Sequence, residues 1–170
     1  IHNINLYKIW NEKSEMLRKA INHNKFNSSY YYWCDAGCFR DNSTIENYVN
    51  WPNEKAVKKN DFILLNIEKF EIQDISLNRR GLPPSFIDKN RIGGGIFGGT
   101  KECCLKWHKL YYKMVDKFID INRFIGKDQS IMANIYINQL LTKKTDFISL
   151  IKIPSFYKKN IWFYLQDYLL

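Results

Sequence analysis

An aromatic run that ends on a single acid constrains this chain more than any other feature. Residues 30–34 are three tyrosines, a tryptophan and a cysteine; Asp35 follows at once, and Gly37 lies two residues later. Aromatic side chains favour β-strands, and an apolar strand does not accommodate a carboxylate unless the strand is ending. We therefore expect a strand over residues 29–34 with Asp35 at its C-terminal tip. Open α/β sheets bind ligands at that edge, where a carboxylate suits a metal ion or the ribose of a nucleotide-sugar.

Hydrophobic periodicity supplies the other elements of an α/β fold. Apolar residues recur three and four positions apart over residues 5–22 and 107–118, as they do on the buried face of a helix. Thr100 stands where the second of these helices needs an N-cap residue. Strands that alternate with helices indicate an α/β sheet. The remaining predicted elements are a short strand within 61–72, a helix that begins near Asp128 and a late strand over 146–151.

A glycine-rich segment over residues 91–100 is the second unusual feature. Five of its ten residues are glycine, and they surround the apolar pair Ile96 and Phe97. The spacing fits neither a dinucleotide-binding fingerprint nor a P-loop. The segment is therefore either a flexible loop or a strand-like ledge whose bare backbone lets a bulky sugar lie close.

The charge of the chain leaves its class of partner open. It has 26 Lys and Arg residues against 17 Asp and Glu residues, a net charge of +9, which favours anionic partners such as phosphates, acidic glycans or nucleic acid. The basic residues are scattered instead of forming a stripe, and heavy use of Lys, Asn, Ile and Tyr is typical of proteins from AT-rich genomes. We therefore rank a nucleic-acid partner last.

The four cysteines do not have the spacing of a metal site. Cys34 and Cys38 are separated by three residues, whereas Cys103 and Cys104 are adjacent, and zinc sites favour CxxC pairs or histidines at ligand spacing. Reduced thiols, and with them the cytoplasm or another reducing compartment, are the simpler expectation. No apolar run is long enough to cross a bilayer, so we expect no transmembrane segment.

Three features come in a fixed order along the chain: Asp35 after a strand, the glycine-rich segment, and Asp128 with Gln129 at the start of a helix. In this order the chain resembles the HtrL/YibB family of bacterial proteins, which belongs with the GT-A nucleotide-sugar transferases. The resemblance extends from about residue 5 to about residue 150. The residues that carry it are 7–13, 32–40, 94–99 and 127–129.

The resemblance implies a fold and an activity. The fold is a single α/β domain over residues 1–170, GT-A-like and Rossmann-like, in which helices flank a mixed sheet and an aromatic helix at 155–170 packs on the body. The activity is transfer of a sugar from a nucleoside-diphosphate-sugar to an unknown glycan or protein acceptor. GT-A domains begin with a strand that cradles the nucleotide base. Because this chain begins at a helix, we expect it to be incomplete at its N-terminus and to lack part of the nucleotide pocket.

The resemblance also implies roles for individual residues. Asp35 takes the place of the first acid of the Asp-x-Asp motif and is expected to hold Mn²⁺ or Mg²⁺. Asp128 and Gln129 are expected to be catalytic, with Asp128 orienting a sugar or acting as a base. The residues expected to bind the donor are Trp33, Arg40, Gly94, Gly95, Gly98 and Gly99.

One departure from the family pattern leaves a second function open. Gly37 stands where the second acid of the motif is expected, so a metal at Asp35 has a single obvious carboxylate ligand. The alternative to an enzyme is a non-catalytic protein of the same fold that binds a nucleotide-sugar or a glycan. The glycosyltransferase hypothesis predicts that Asp35, Asp128 and residues 93–99 converge on one cleft.

Overall fold

The chain folds into a four-stranded mixed sheet flanked by helices. In the computed structural model the strands are β1 (Tyr30–Cys34), β2 (Phe62–Asn66), β3 (Ile92–Thr100) and β4 (Ile148–Lys152), in the order β1-β3-β2-β4. β3 pairs antiparallel with both β1 and β2, and β2 pairs parallel with β4. The predicted α/β class with a mixed sheet is therefore confirmed. The structure describes residues 2–39, 46, 48–58, 61–79, 81–82, 84–144 and 146–170.

The two longest helices begin at residues whose side chains cap them. The Asn3 side chain accepts the N–H of Leu6 at 3.0 Å, and the Thr100 hydroxyl, the predicted N-cap, accepts the N–H of Cys103 at 3.4 Å. The helices are α1 (Ile4–His23), α2 (Lys101–Asp120), α3 (Asp128–Leu141) and α4 (Tyr164–Tyr168), with three-residue 3₁₀ segments at Glu54–Ala56, Ile72–Asp74 and Ile161–Phe163.

The core lies on both faces of the sheet because successive strand residues point to opposite sides. Phe62 of β2 belongs to the larger cluster, which also contains residues of α1, α2 and α3. Its ring stacks on Trp107 of α2, with centroids 4.7 Å apart. Ile63 belongs to a second cluster on the other face, which the C-terminal segment closes with Leu165 and Leu169.

Two glycines of β3 allow three strands to lie close together. A Cβ at Gly98 would collide with the main-chain oxygen of Tyr31, and a Cβ at Gly99 would collide with that of Asp61. Their φ angles, +153° and +159°, also disfavour a side chain. The glycine-rich segment is thus a buried strand, and the positions of Gly98 and Gly99, both predicted to bind the donor, reflect strand packing.

The C-terminal segment contains a shorter helix than the one expected over residues 155–170. α4 has five residues, and the 3₁₀ segment Ile161–Phe163 comes directly before it. The Gln166 side-chain amide donates to the carbonyl oxygen of Cys38 at 2.7 Å, which ties α4 to the turn after β1. Within the described part of the chain, no helix combines the length and the apolar character that a membrane span requires.

Candidate functional site

A cleft of about 370 Å³ opens where β1 ends and β3 begins. α1, the first turn of α3 and the 3₁₀ segment Ile161–Phe163 form its other walls. As predicted, the cleft brings together Asp35, Asp128 and part of the glycine-rich segment. The residues that line it are Trp10, Lys13, Asp35, Gly37, Gly94, Gly95, Asp128, Gln129, Trp162 and Phe163.

Asp35 is held at the tip of β1 by main-chain and side-chain contacts. Its N–H donates to the carbonyl oxygen of Gly95 at 2.8 Å, and its own carbonyl oxygen accepts the N–H of Cys38 at 2.9 Å. The indole N–H of Trp33 donates to Asp35 Oδ1 at 2.6 Å. The carboxylate is therefore oriented, although its side chain remains 40% exposed.

Asp128 is the first residue of α3 and is only 3% exposed. Its Oδ1 accepts the N–H of Gln129 at 3.0 Å, as an acid in the first turn of a helix commonly does. The carboxylate lies so close to β3 that a Cβ at Gly94 would be 2.7 Å from Asp128 Oδ2. The space for this acid thus depends on a glycine at position 94.

Lys13 joins the two carboxylates. It projects from the buried face of α1 and is 4% exposed. Its Nζ donates to the carbonyl oxygen of Gly94 at 2.8 Å, and it lies 3.0 Å from Asp35 Oδ1 and 3.1 Å from Asp128 Oδ2. An ammonium group offers three protons and accepts none, so oxygens from three separate residues surround its three donors.

Burial dominates the electrostatics of Asp128. It raises the pKa of this carboxyl above the usual value, while the Lys13 ammonium opposes the rise and the charge of Asp35 adds to it. The contact between Lys13 Nζ and Asp128 Oδ2, at 3.1 Å, is an ion pair. A buried carboxylate with a raised pKa suits a proton acceptor.

Comparison with known proteins identifies the family of this chain. A family model described as a bacterial protein of unknown function, HtrL/YibB, matches residues 4–162. The chain belongs to the HtrL/YibB family. The matched range includes Lys13, Asp35 and Asp128. No curated protein and no solved structure matches the chain.

The groups around Asp35 do not match the needs of a divalent ion. Mg²⁺ and Mn²⁺ favour several oxygen ligands, but the described residues contain no group of three His, Cys, Asp or Glu side chains placed to hold a metal. At the cleft, the Lys13 ammonium lies between the carboxylates of Asp35 and Asp128. The ion expected at Asp35 stays a prediction.

Three of the described residues predicted to bind the donor do not line the cleft. Gly98 and Gly99 lie further along β3, inside the sheet. Trp33 acts on the cleft indirectly, through its hydrogen bond to Asp35. Arg40 lies outside the described residues.

Four cleft residues were not assigned a role from the sequence: Trp10, Lys13, Trp162 and Phe163. The sequence does contain a signal for Lys13, because this residue comes three positions after Trp10 and four before Leu17 on the apolar face of α1. A charge on a buried face needs a partner. Trp162 and Phe163 reach the cleft through packing of the C-terminal segment, for which the sequence has no local signal.

Proposed function

We propose that this HtrL/YibB protein is a GT-A-like glycosyltransferase that moves a sugar from a nucleoside-diphosphate-sugar to an acceptor hydroxyl. The observation that carries the proposal is the convergence of Asp35, Asp128 and the bare backbone of Gly94 and Gly95 on one cleft. The first turn of α3 faces the same cleft, and the N-terminus of a helix favours anionic groups such as phosphates. These features together support a ligand that carries both sugar and phosphate.

The walls of the cleft suit a sugar. Gly94 and Gly95 place no side chain between a ligand and β3, so a pyranose ring can lie against the backbone. Trp10 and Trp162 contribute aromatic surface from α1 and from the C-terminal segment. The side-chain amide of Gln129 offers both a donor and an acceptor for sugar hydroxyls.

Asp128 is the base in the proposed reaction. The acceptor oxygen forms a bond to the anomeric carbon of the donor sugar while the bond from that carbon to the diphosphate oxygen breaks. The electron pair of the broken bond leaves with the diphosphate, and the acceptor proton passes to Asp128. Burial raises the pKa of Asp128, which brings it nearer to the value at which a carboxylate works best as a general base. The N-terminal turn of α3 favours the charge that develops on the diphosphate.

One observation favours a non-catalytic alternative. Asp35 and Asp128 are both ion-paired with Lys13, and Gly37 supplies no further acid at the cleft. Carboxylates that are neutralised in this way can orient a ligand through hydrogen bonds without taking up a proton. A protein of this kind would bind a nucleotide-sugar or a glycan and release it unchanged.

Calorimetry with UDP-, GDP-, CDP- and dTDP-sugars, followed by an assay for release of the nucleoside diphosphate, tests both functions. We expect one donor to bind, and we expect Asp128→Asn to slow its turnover by about 100-fold or more while binding persists. Asp116→Asn, which changes an exposed acid of α2, is the matched control and should turn over like the wild type. Binding without turnover would favour the alternative, and failure of every donor to bind would refute the glycosyltransferase.

A further inference from the structure

The protein itself supplies the cation between Asp35 and Asp128. The Lys13 ammonium is surrounded by both carboxylate oxygens of Asp35, by Asp128 Oδ2 and by the main-chain oxygen of Gly94, at distances from 2.8 to 3.2 Å. Carboxylate and carbonyl oxygens are also the preferred ligands of Mg²⁺ and Mn²⁺. The oxygens are therefore of the type that a hard metal ion binds, but they bind an ammonium.

We propose that Lys13 takes the place of a divalent ion, so that the cleft keeps its two acids together without Mn²⁺ or Mg²⁺ and excludes both ions. The consequence for sugar transfer rests on the proposed function, whereas the exclusion of the ions does not. Because Lys13 is buried and contacts the acids, it is a positioning residue that fixes Asp35 and Asp128 relative to each other.

Lys13 is held firmly in this position. Its side chain is 5% exposed, and its neighbours Ser14 and Leu17 on α1 are also buried. A metal ion between the two carboxylates would lie within a few ångströms of the ammonium, and like charges repel strongly where water is scarce. Moving the ammonium aside would instead leave a buried charge without its partners, which is strongly unfavourable.

The net charge of the cluster also indicates that Lys13 excludes a divalent ion. Two carboxylates and one ammonium leave a net charge of −1 when all three groups are ionised. Without the ammonium the two acids would carry −2, which a divalent ion would neutralise. The proposal therefore predicts that removal of Lys13 creates an affinity for metal ions that the wild-type protein lacks.

Titration with Mn²⁺ alone, followed by electron paramagnetic resonance of the free ion, tests this without any nucleotide. We expect the wild type to show no binding that depends on Asp35. Lys13→Ala, which removes the ammonium and opens space between the acids, should bind Mn²⁺ at least about tenfold more tightly. A second change, Asp35→Asn, should abolish the gain. Lys19→Ala is the matched control, because this exposed lysine of α1 lies 3.9 Å from its nearest carboxylate, on Glu15.

Two results would overturn the proposal. The first is Mn²⁺ binding by the wild type that Asp35→Asn abolishes, and the second is a folded Lys13→Ala variant that gains no affinity for Mn²⁺. If Lys13→Ala fails to fold, Lys13→Gln keeps a hydrogen-bonding side chain and carries the same expectation, and the wild-type titration decides without either variant. Donor binding, where it occurs, should be unchanged by EDTA. Failure of all donors to bind would refute the enzyme and leave the Mn²⁺ result standing.

Discussion

Gly94 and Gly95 are neighbours in β3, but alanine should affect them differently. A Cβ at Gly94 would lie 2.7 Å from Asp128 Oδ2 and 3.2 Å from its Cγ and Oδ1, whereas the nearest atom to a Cβ at Gly95 is Cys38 Sγ at 3.7 Å. Neither glycine has a positive φ, so the backbone accepts alanine at both positions. The difference between the two variants therefore isolates the contact with Asp128.

The structure sets the size of this effect. Ordinary contact begins near 3.4 Å, so the Asp128 carboxylate must retreat by the difference from 2.7 Å, about 0.7 Å. The Gln129 N–H at 3.0 Å and Lys13 Nζ at 3.1 Å both restrain it. Overpacking of this kind destabilises the folded protein by about 1–3 kcal/mol. Replacing glycine with alanine also lowers the conformational entropy of the unfolded chain, which stabilises the protein by about 0.4–1 kcal/mol. We expect Gly94→Ala to lower the free energy of unfolding by about 1–2 kcal/mol and Gly95→Ala to raise it by up to about 1 kcal/mol.

Urea denaturation followed by tryptophan fluorescence measures both free energies of unfolding. The native emission also reports on the site, because Trp10 and Trp162 line the cleft and Trp33 donates to Asp35. We expect Gly94→Ala to shift that emission and Gly95→Ala to leave it closer to the wild type. Equal stability of the two variants, within about 0.5 kcal/mol, would show that the contact with Asp128 does not destabilise Gly94→Ala, since strand propensity alone would then account for both variants.

Three further predictions concern other parts of the molecule. Alanine at Gly98 or Gly99 should destabilise the fold by about 3 kcal/mol or more in urea denaturation, because its Cβ meets main-chain oxygens at a φ that disfavours side chains. Asp74 is fully buried, and burial opposes its ionisation. The hydrogen bond from Lys89, the main-chain N–H of Glu71 and the charge of Arg91 together outweigh burial and lower its pKa. Asp74→Asn should therefore lower the free energy of unfolding by about 3–5 kcal/mol at neutral pH. Denaturation at a series of pH values should show that the difference between wild type and variant shrinks below pH 3.8, because Asp74 takes up a proton in the unfolded chain before it does so in the folded protein. Trp33→Phe removes the indole donor to Asp35 and should lower the free energy of unfolding by about 1–3 kcal/mol in the same assay.

Most helices and strands were predictable because their signals are local. The helix predicted over residues 5–22 is α1, and the strand predicted over 29–34 is β1, both to within a residue at either end. The pairing of the strands was not predictable, since β3 joins β1 and β2 from distant parts of the chain. Glycine has a low strand propensity, so the sequence of the glycine-rich segment was equally consistent with a loop and with a strand. Its role as a paired strand depends on neighbouring backbones that only the folded structure brings close.

The positions of the two acids were also predictable, because each stands at the end of a recognisable element. Asp35 follows β1, and Asp128 opens α3. The sequence contains no signal for the distance between them or for the C-terminal wall of the cleft. Those features come from tertiary contacts such as the hydrogen bond of Gln166 to the turn at Cys38.

A cation beside the two acids is expected once they are known to share one cleft. Two carboxylates that lie close together, one of them almost without solvent, repel each other and resist ionisation unless a positive charge lies between them. To keep both acids ionised, the chain must therefore either bind a cation or provide one. A lysine on the apolar face of α1, where an unpaired charge would be unfavourable, is the cation that the chain provides. An acid at a strand tip is usually taken to bind a metal, but here a lysine of the same chain contacts it. Before a metal is assigned to such an acid, the buried faces of the neighbouring helices should be searched for a lysine that is close enough to replace it.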